Sequence, residues 1–171
     1  MEQLSFVLKN SNLVRYLPTV IIPAIGDTLK MVFVSAALSI FFGMILGIVL
    51  VVTADDGLSP HPIIHTILGK ITDIVRSFPM MILIVAVAPL TRFFIGTKIG
   101  VQAAIFAITL GSTPFATRMT ENSLNTVDPQ LVKMARSIGA SKVQIIFKVM
   151  LVEALPVLIS NFTIMMINML N

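Results

Sequence analysis

His61 and His65 stand four residues apart, a spacing that on one helix would bring two imidazoles to a common metal ion. Pro62 follows His61 directly, no glutamate adjoins it, the chain has no third histidine, and Gly57 separates Asp55 and Asp56 from the pair. The bland reading, two solvated loop histidines, is therefore the expectation. Zero cysteines remove disulfides, thiolate metal sites, iron–sulfur clusters and cysteine nucleophiles. No Gly-x-Ser-x-Gly elbow, His-Glu-x-x-His pair or G-x-x-x-x-G-K-[ST] phosphate loop occurs. The chain is expected to hold no metal or cofactor and to catalyse no reaction of its own.

The more informative polar stretch is 118–153, which carries eight of the 20 charged residues: Arg118, Glu121, Asp128, Lys133, Arg136, Lys142, Lys148 and Glu153. Asp128 offers an N-cap side chain and Pro129 suits the first helical position, so a short helix is predicted there. Leu131, Ala135 and Ile138 fall on one face of it, with Gln130, Lys133 and Arg136 elsewhere. Gly139 stands where a left-handed C-terminal cap is wanted. Ser141 to Gln144 then reads as a capping box that restarts a helix at once. Two short helices thus meet at a glycine corner. The corner also has the local pattern of a DNA-binding helix-turn-helix, but apolar segments abut both sides and leave it no reach into a groove. Arg118 and Glu121, three apart, fit a surface helical pair.

Apolar residues make up 56% of the 171, with only 12 Lys+Arg and 8 Asp+Glu, net charge +4. With a mean hydropathy of +0.97, that excess is too large for one soluble core. Four stretches, 31–54, 77–91, 99–117 and 154–171, carry no charge at all. Each reads as part of a membrane span, which takes roughly 20 mostly apolar residues. A pI near 9.8 does not suggest nucleic acid, because the bases are scattered singly and spans need flanking bases anyway.

The predicted fold class is an all-α, polytopic helical membrane protein. Residues 1–26 form an interfacial approach segment in which Pro18, Pro23 and Gly26 break any helix, and Asp27 caps the first span, 28–52. At about 1.5 Å per residue the stretch from Asp27 is longer than the hydrocarbon layer, which predicts a tilt. Gly43 and Gly47 form a small-xxx-small pair on one face of it. The second span, 63–93, begins in an amphipathic half, with Ile64, Ile67, Leu68, Ile71, Ile74 and Val75 on one side and Lys70 and Asp73 toward the other, and Pro79 kinks it or starts a new segment. The third span, 99–117, holds Gln102, Thr109, Ser112, Thr113 and Pro114, too polar to face lipid all round. The fourth, 148–170, carries Asn161 and Asn168 on one face, which either line a pathway or hydrogen-bond to a neighbouring helix. With the 118–148 loop inside, seven bases lie inside and five outside, a feeble positive-inside bias.

Lys133-Met134-Ala135, Arg136 to Gly139, Val149-Met150-Leu151 and Glu153 to Pro156 together resemble the EAA loop of bacterial ABC importer permeases. More closely, RSFPMMILIVAVAPLTRFF (76–94), GTKIGVQAAI (96–105) and PFATRMTENSL (114–124) resemble the methionine (D-methionine) type of these permeases. Lys133 stands where that family has glutamate, Met134 where it has alanine, and Val152 follows Leu151 where it has proline.

This resemblance implies the type I ABC importer permease fold in a multi-pass protein of the bacterial inner membrane. It also implies a homodimer that passes an amino acid and works with a separate ATP-binding subunit and an extracytoplasmic substrate-binding lipoprotein, among membrane lipid and without nucleic acid. The corner at 128–147 would be the coupling element, with Leu131, Lys133, Ala135, Arg136, Gly139, Ala140, Ser141 and Gln144 as its ATPase-coupling residues. The family continues to a fifth span, whereas this sequence stops at Asn171, so it reads as lacking the last transmembrane helix. The alternative is a nonfunctional truncated remnant or a non-transporting assembly partner. A stand-alone carrier would want charged residues within the spans, and the charge-free stretches supply none.

Overall fold

The computed structural model describes residues 17–170, whose regular elements are all helical, with no strand among them. A π-helical turn, Leu17–Ile21, leads without a break into α1, Ile22–Thr53. Most of the expected interfacial segment, residues 1–16, lies outside the described part; the expectation that Pro18, Pro23 and Gly26 break any helix is corrected, because from Leu17 the chain is already helical. Pro23 stands where the π-helical turn passes into the α-helix and does not interrupt the run. Asp27 accordingly lies inside the helix and caps nothing.

In the second expected span Pro79 starts a new segment, one of the two outcomes expected of it. Residues 63–93 form two helices, α2 (Pro62–Ser77) and α3 (Met80–Ile95), whose directions differ by 114°. Pro79 is the cause, because its ring forces Phe78 out of the helical region to φ −83°, ψ 136°. The third expected span lies in α4, which runs from Val101 to Leu124, seven residues beyond the expected end at 117. After α5 (Pro129–Ser137) the chain turns into α6 (Lys142–Gln144), passes through a π-helical stretch, Ile145–Met150, and continues as α7, Leu151–Leu170. The helix that carries the expected fourth span, 148–170, thus starts earlier, at Lys142: the second arm of the corner and that span share one continuous helix.

By length and composition Pro18–Thr53 and Lys142–Met169 can each cross a membrane, and the bent pair α2–α3 makes up to three crossings. More polar than these, α4 takes the centre instead, where Thr109, Ser112, Thr117, Thr120 and Ser123 are buried against other helices. Its closest partner is α1, and the two run parallel. Ser35 Oγ donates to the Ile105 carbonyl at 3.3 Å and Ser39 Oγ to that of Thr109 at 3.2 Å. Further along, Gly43 lies against Ala116 and Gly47 against Thr120, so close that a Cβ on Gly43 would meet the Ala116 carbonyl carbon at 2.9 Å. The small-xxx-small pair is thus the seam of the structure, and the C-terminal ends of α1 and α4 emerge on the same side.

At that shared end Val51, Leu58, Leu124, Val127, Ala135, Ile145, Met150, Ala154 and Leu158 form one buried cluster. It joins the ends of α1 and α4, the loop 54–61, the corner and the start of α7.

Candidate functional site

The corner is built by local capping. The Asp128 carboxylate accepts from Gln130 N at 2.8 Å and Pro129 takes the first helical position. At the other end of α5, Ala140 N donates to Ala135 O and Gly139 N to Arg136 O, both at 3.0 Å, which is the paired-bond C-cap that needs a left-handed residue. Gly139 supplies it at φ +80°. Ser141 Oγ then accepts from Gln144 N at 3.3 Å while Gln144 Oε1 accepts from Ser141 N at 2.9 Å. Every one of these bonds spans five residues or fewer, so the corner's shape is written into its own sequence.

The structure separates the eight expected coupling residues by role. Ala135 is buried, Leu131 is half-buried, Ala140 is half-buried against the core cluster, and Gly139 makes the turn. Ser141 and Gln144 satisfy each other. Arg136 Nη2 donates to the Gly57 carbonyl at 3.2 Å, and neighbouring Lys142 Nζ donates to Ser59 Oγ, also at 3.2 Å. Lys133 is exposed and, with Asp56, Leu58, Asn125 and Arg136, borders a cavity of about 400 Å³ between α5 and the loop 54–58. These are framework residues for the most part.

Lys133, Arg136, Gly139, Ser141 and Gln144 are exposed, and beside them stand four large apolar side chains outside the expected coupling set. Met134 is 65% exposed, Ile138 85%, Val143 63% and Phe147 60%. Ile138 thus leaves the face that it was expected to share with Ala135, because the Gly139 turn ends the helix at that point. The signal lay in the pairs 134/138 and 143/147, each four apart and apolar on a polar element.

Of the two span amides, Asn161 Nδ2 donates to Ser123 Oγ at 2.9 Å and so ties α7 to α4. Asn168 is exposed. A groove of about 640 Å³ lies between α1 and α4 at the other end, with Gln102, Thr109 and Thr113 among carbon walls that include Phe42 and Phe106.

Arg118 departs from the expected surface pair. It bonds Glu121 on its own helix, but also reaches Asp73 and the Gly69 carbonyl on α2, and only 18% of its side chain is exposed. Nor are both histidines solvated: His65 is half-buried with Nδ1 3.0 Å from the Leu50 carbonyl. No group of three metal-ligating side chains occurs among the described residues.

A family model described as binding-protein-dependent transport system inner membrane component matches residues 39–171. The chain belongs to this family. As one of these transport components it is a multi-pass protein of the inner membrane. It is 41% identical over 145 residues to a Yersinia pestis protein named D-methionine transport system permease protein MetI, covering 85% of this chain and 67% of that one. The Escherichia coli K12 protein of the same name is 38% identical over 149 residues, covering 87% and 69%. Among solved structures, an inward-facing conformation of the MetNI methionine ABC transporter superposes with a TM-score of 0.83 at 38% identity, over 85% of this chain and 68% of that chain. The type I permease architecture is accordingly that of this chain.

Proposed function

We propose that this chain is the permease subunit of an ATP-driven importer that carries an amino acid, methionine, across the inner membrane, and that its corner takes the thrust of a separate ATP-binding subunit. The observation that carries this reading is the apolar set Met134, Ile138, Val143 and Phe147, exposed on the two helical arms that flank the capped Gly139 turn. A corner held by caps transmits force without bending. Since α6 runs straight into α7, displacement at the corner tilts a span. The partner's closure on ATP then biases a two-state arrangement of helices toward one access side, and its opening restores the other.

Hydrolysis belongs to the partner, since this chain has no phosphate-binding loop. A second copy of the chain completes the pathway, and an external binding lipoprotein delivers the substrate. The relatives are named D-methionine transport permeases, which supports methionine as the cargo. Co-purification tests the reading: the chain is expected to retain an ATP-binding subunit. Gly139→Pro, which destroys the turn, is expected to abolish uptake. A chain that retains no such subunit, or unchanged uptake by Gly139→Pro, refutes the role given to the corner.

A further inference from the structure

The loop 54–61 closes the end of α1 and grips the corner at once. Its amides satisfy carbonyls that α1 leaves open: Ser59 N donates to Val52 O at 2.9 Å and His61 N to Thr53 O at 3.0 Å. On its other side the Gly57 carbonyl accepts from Arg136 in α5, and Ser59 Oγ accepts from Lys142 in α6. Leu58 enters the core beside Ala135 and Ile145. The loop can lie this close only because residue 57 is glycine. A Cβ there would collide with the Val52 carbonyl oxygen and stand 2.6 Å from that of Val51.

We infer that this loop is a strut that passes corner displacement to α1, with Gly57 and Ser59 as its positioning residues; this rests on the coupling role given to the corner above. By chain connection the corner reaches only α4 and α7. Through the strut it also reaches α1, and the Gly43 and Gly47 seam obliges α1 and α4 to move as one body. The strut touches both arms of the corner, so it follows the corner's rotation as well as its translation.

The test uses the full-length chain assembled with its ATP-binding subunit and binding protein in proteoliposomes. Labelled methionine taken up per ATP hydrolysed is the readout. Gly57→Ala is expected to retain the ATP-binding subunit and to lower the ratio about three- to thirtyfold, the range for residues that carry coupling between sites. Ser59→Ala is expected to lower it about two- to threefold, at the small end of that range. Ser59→Asp, which gives Lys142 a carboxylate, is expected to hold the parent ratio. An unchanged ratio in Gly57→Ala overturns the strut, as does a fall seen only together with loss of the ATP-binding subunit. If Gly57→Ala does not accumulate, Ser59→Ala decides, and an unchanged ratio there overturns it equally. A parent chain that retains no ATP-binding subunit refutes the coupling role itself, an outcome distinct from failure of the strut.

Discussion

Arg118 holds Asp73 with two nitrogens, Nε 3.0 Å from Oδ1 and Nη2 2.7 Å from Oδ2, and so fastens α2 to the end of α4. The same guanidinium donates to the Gly69 carbonyl at 3.0 Å and bonds Glu121. A lysine offers one point charge and cannot reproduce this planar fork. Arg118→Lys is expected to destabilise the protein by about 1–3 kcal/mol, largely because Glu121, little exposed, loses its partner. The Asp73 side chain is 54% exposed, so Asp73→Asn should cost less, below about 1 kcal/mol. Thermal unfolding of the purified chain in detergent checks both, and equal losses would show that the α2 contact dominates.

The seam between α1 and α4 gives a second expectation. A methyl group at Gly43 meets Ala116 side chain and backbone, and at Gly47 it meets Thr117 O and Thr120 Cγ2 at 2.8 Å. Helix backbones cannot yield as side-chain tips do, so Gly47→Val is expected to cost about 1–3 kcal/mol. Gly43→Ala should be relieved in part by Ala116→Gly, which removes the methyl it strikes. Unfolding midpoints of the two single variants and the double variant test this, since additive losses would place the seam elsewhere.

What the sequence made legible was local. Asp128–Pro129, Gly139 and Ser141–Gln144 specify their caps within a few residues, and the structure has each of them. What it left illegible depends on neighbours far along the chain. Arg118 and Asp73 are 45 residues apart, and no periodicity links them. The faces of α2 illustrate a deeper reason. Its isoleucines Ile64, Ile67, Ile71 and Ile74 are exposed, while Gly69 and Thr72 are buried. In a membrane protein apolar residues have no preference for the inside, because lipid is as apolar as the core; small residues mark the packed side instead. The same inversion puts Gly43 and Gly47 in the seam while Phe41 and Phe42 point outward.

Asn161 offers a modest effect of predictable sign. Its amide donates to Ser123 Oγ, whose own hydroxyl donates to Met119 O at 2.7 Å. Interhelical bonds of this kind average about 0.6 kcal/mol in membranes, so Asn161→Leu is expected to lower stability by about that amount. Uptake at saturating substrate should stay near the parent level. A large fall in uptake with unchanged stability would instead assign Asn161 to the pathway.

The corner's outward face should respond quite differently from its framework. Met134, Ile138, Val143 and Phe147 are exposed, so replacing them removes little packing within the chain itself. A partner seated on them would desolvate them, and one central anchor of such an interface is typically worth about 2 kcal/mol or more. Phe147→Ser and Ile138→Asp are therefore expected to leave the unfolding temperature nearly unchanged while weakening retention of the ATP-binding subunit by about thirtyfold, the equivalent of 2 kcal/mol. Ser141→Ala should behave in the opposite way, because its hydroxyl is engaged in the capping box: about 1 kcal/mol of helix stability is lost, with little direct effect on the partner. Titrating the ATP-binding subunit against each variant in detergent, alongside thermal unfolding, separates the two classes. If Ser141→Ala weakened binding more than Phe147→Ser, the partner would be reading the polar rim of the corner and not its apolar face.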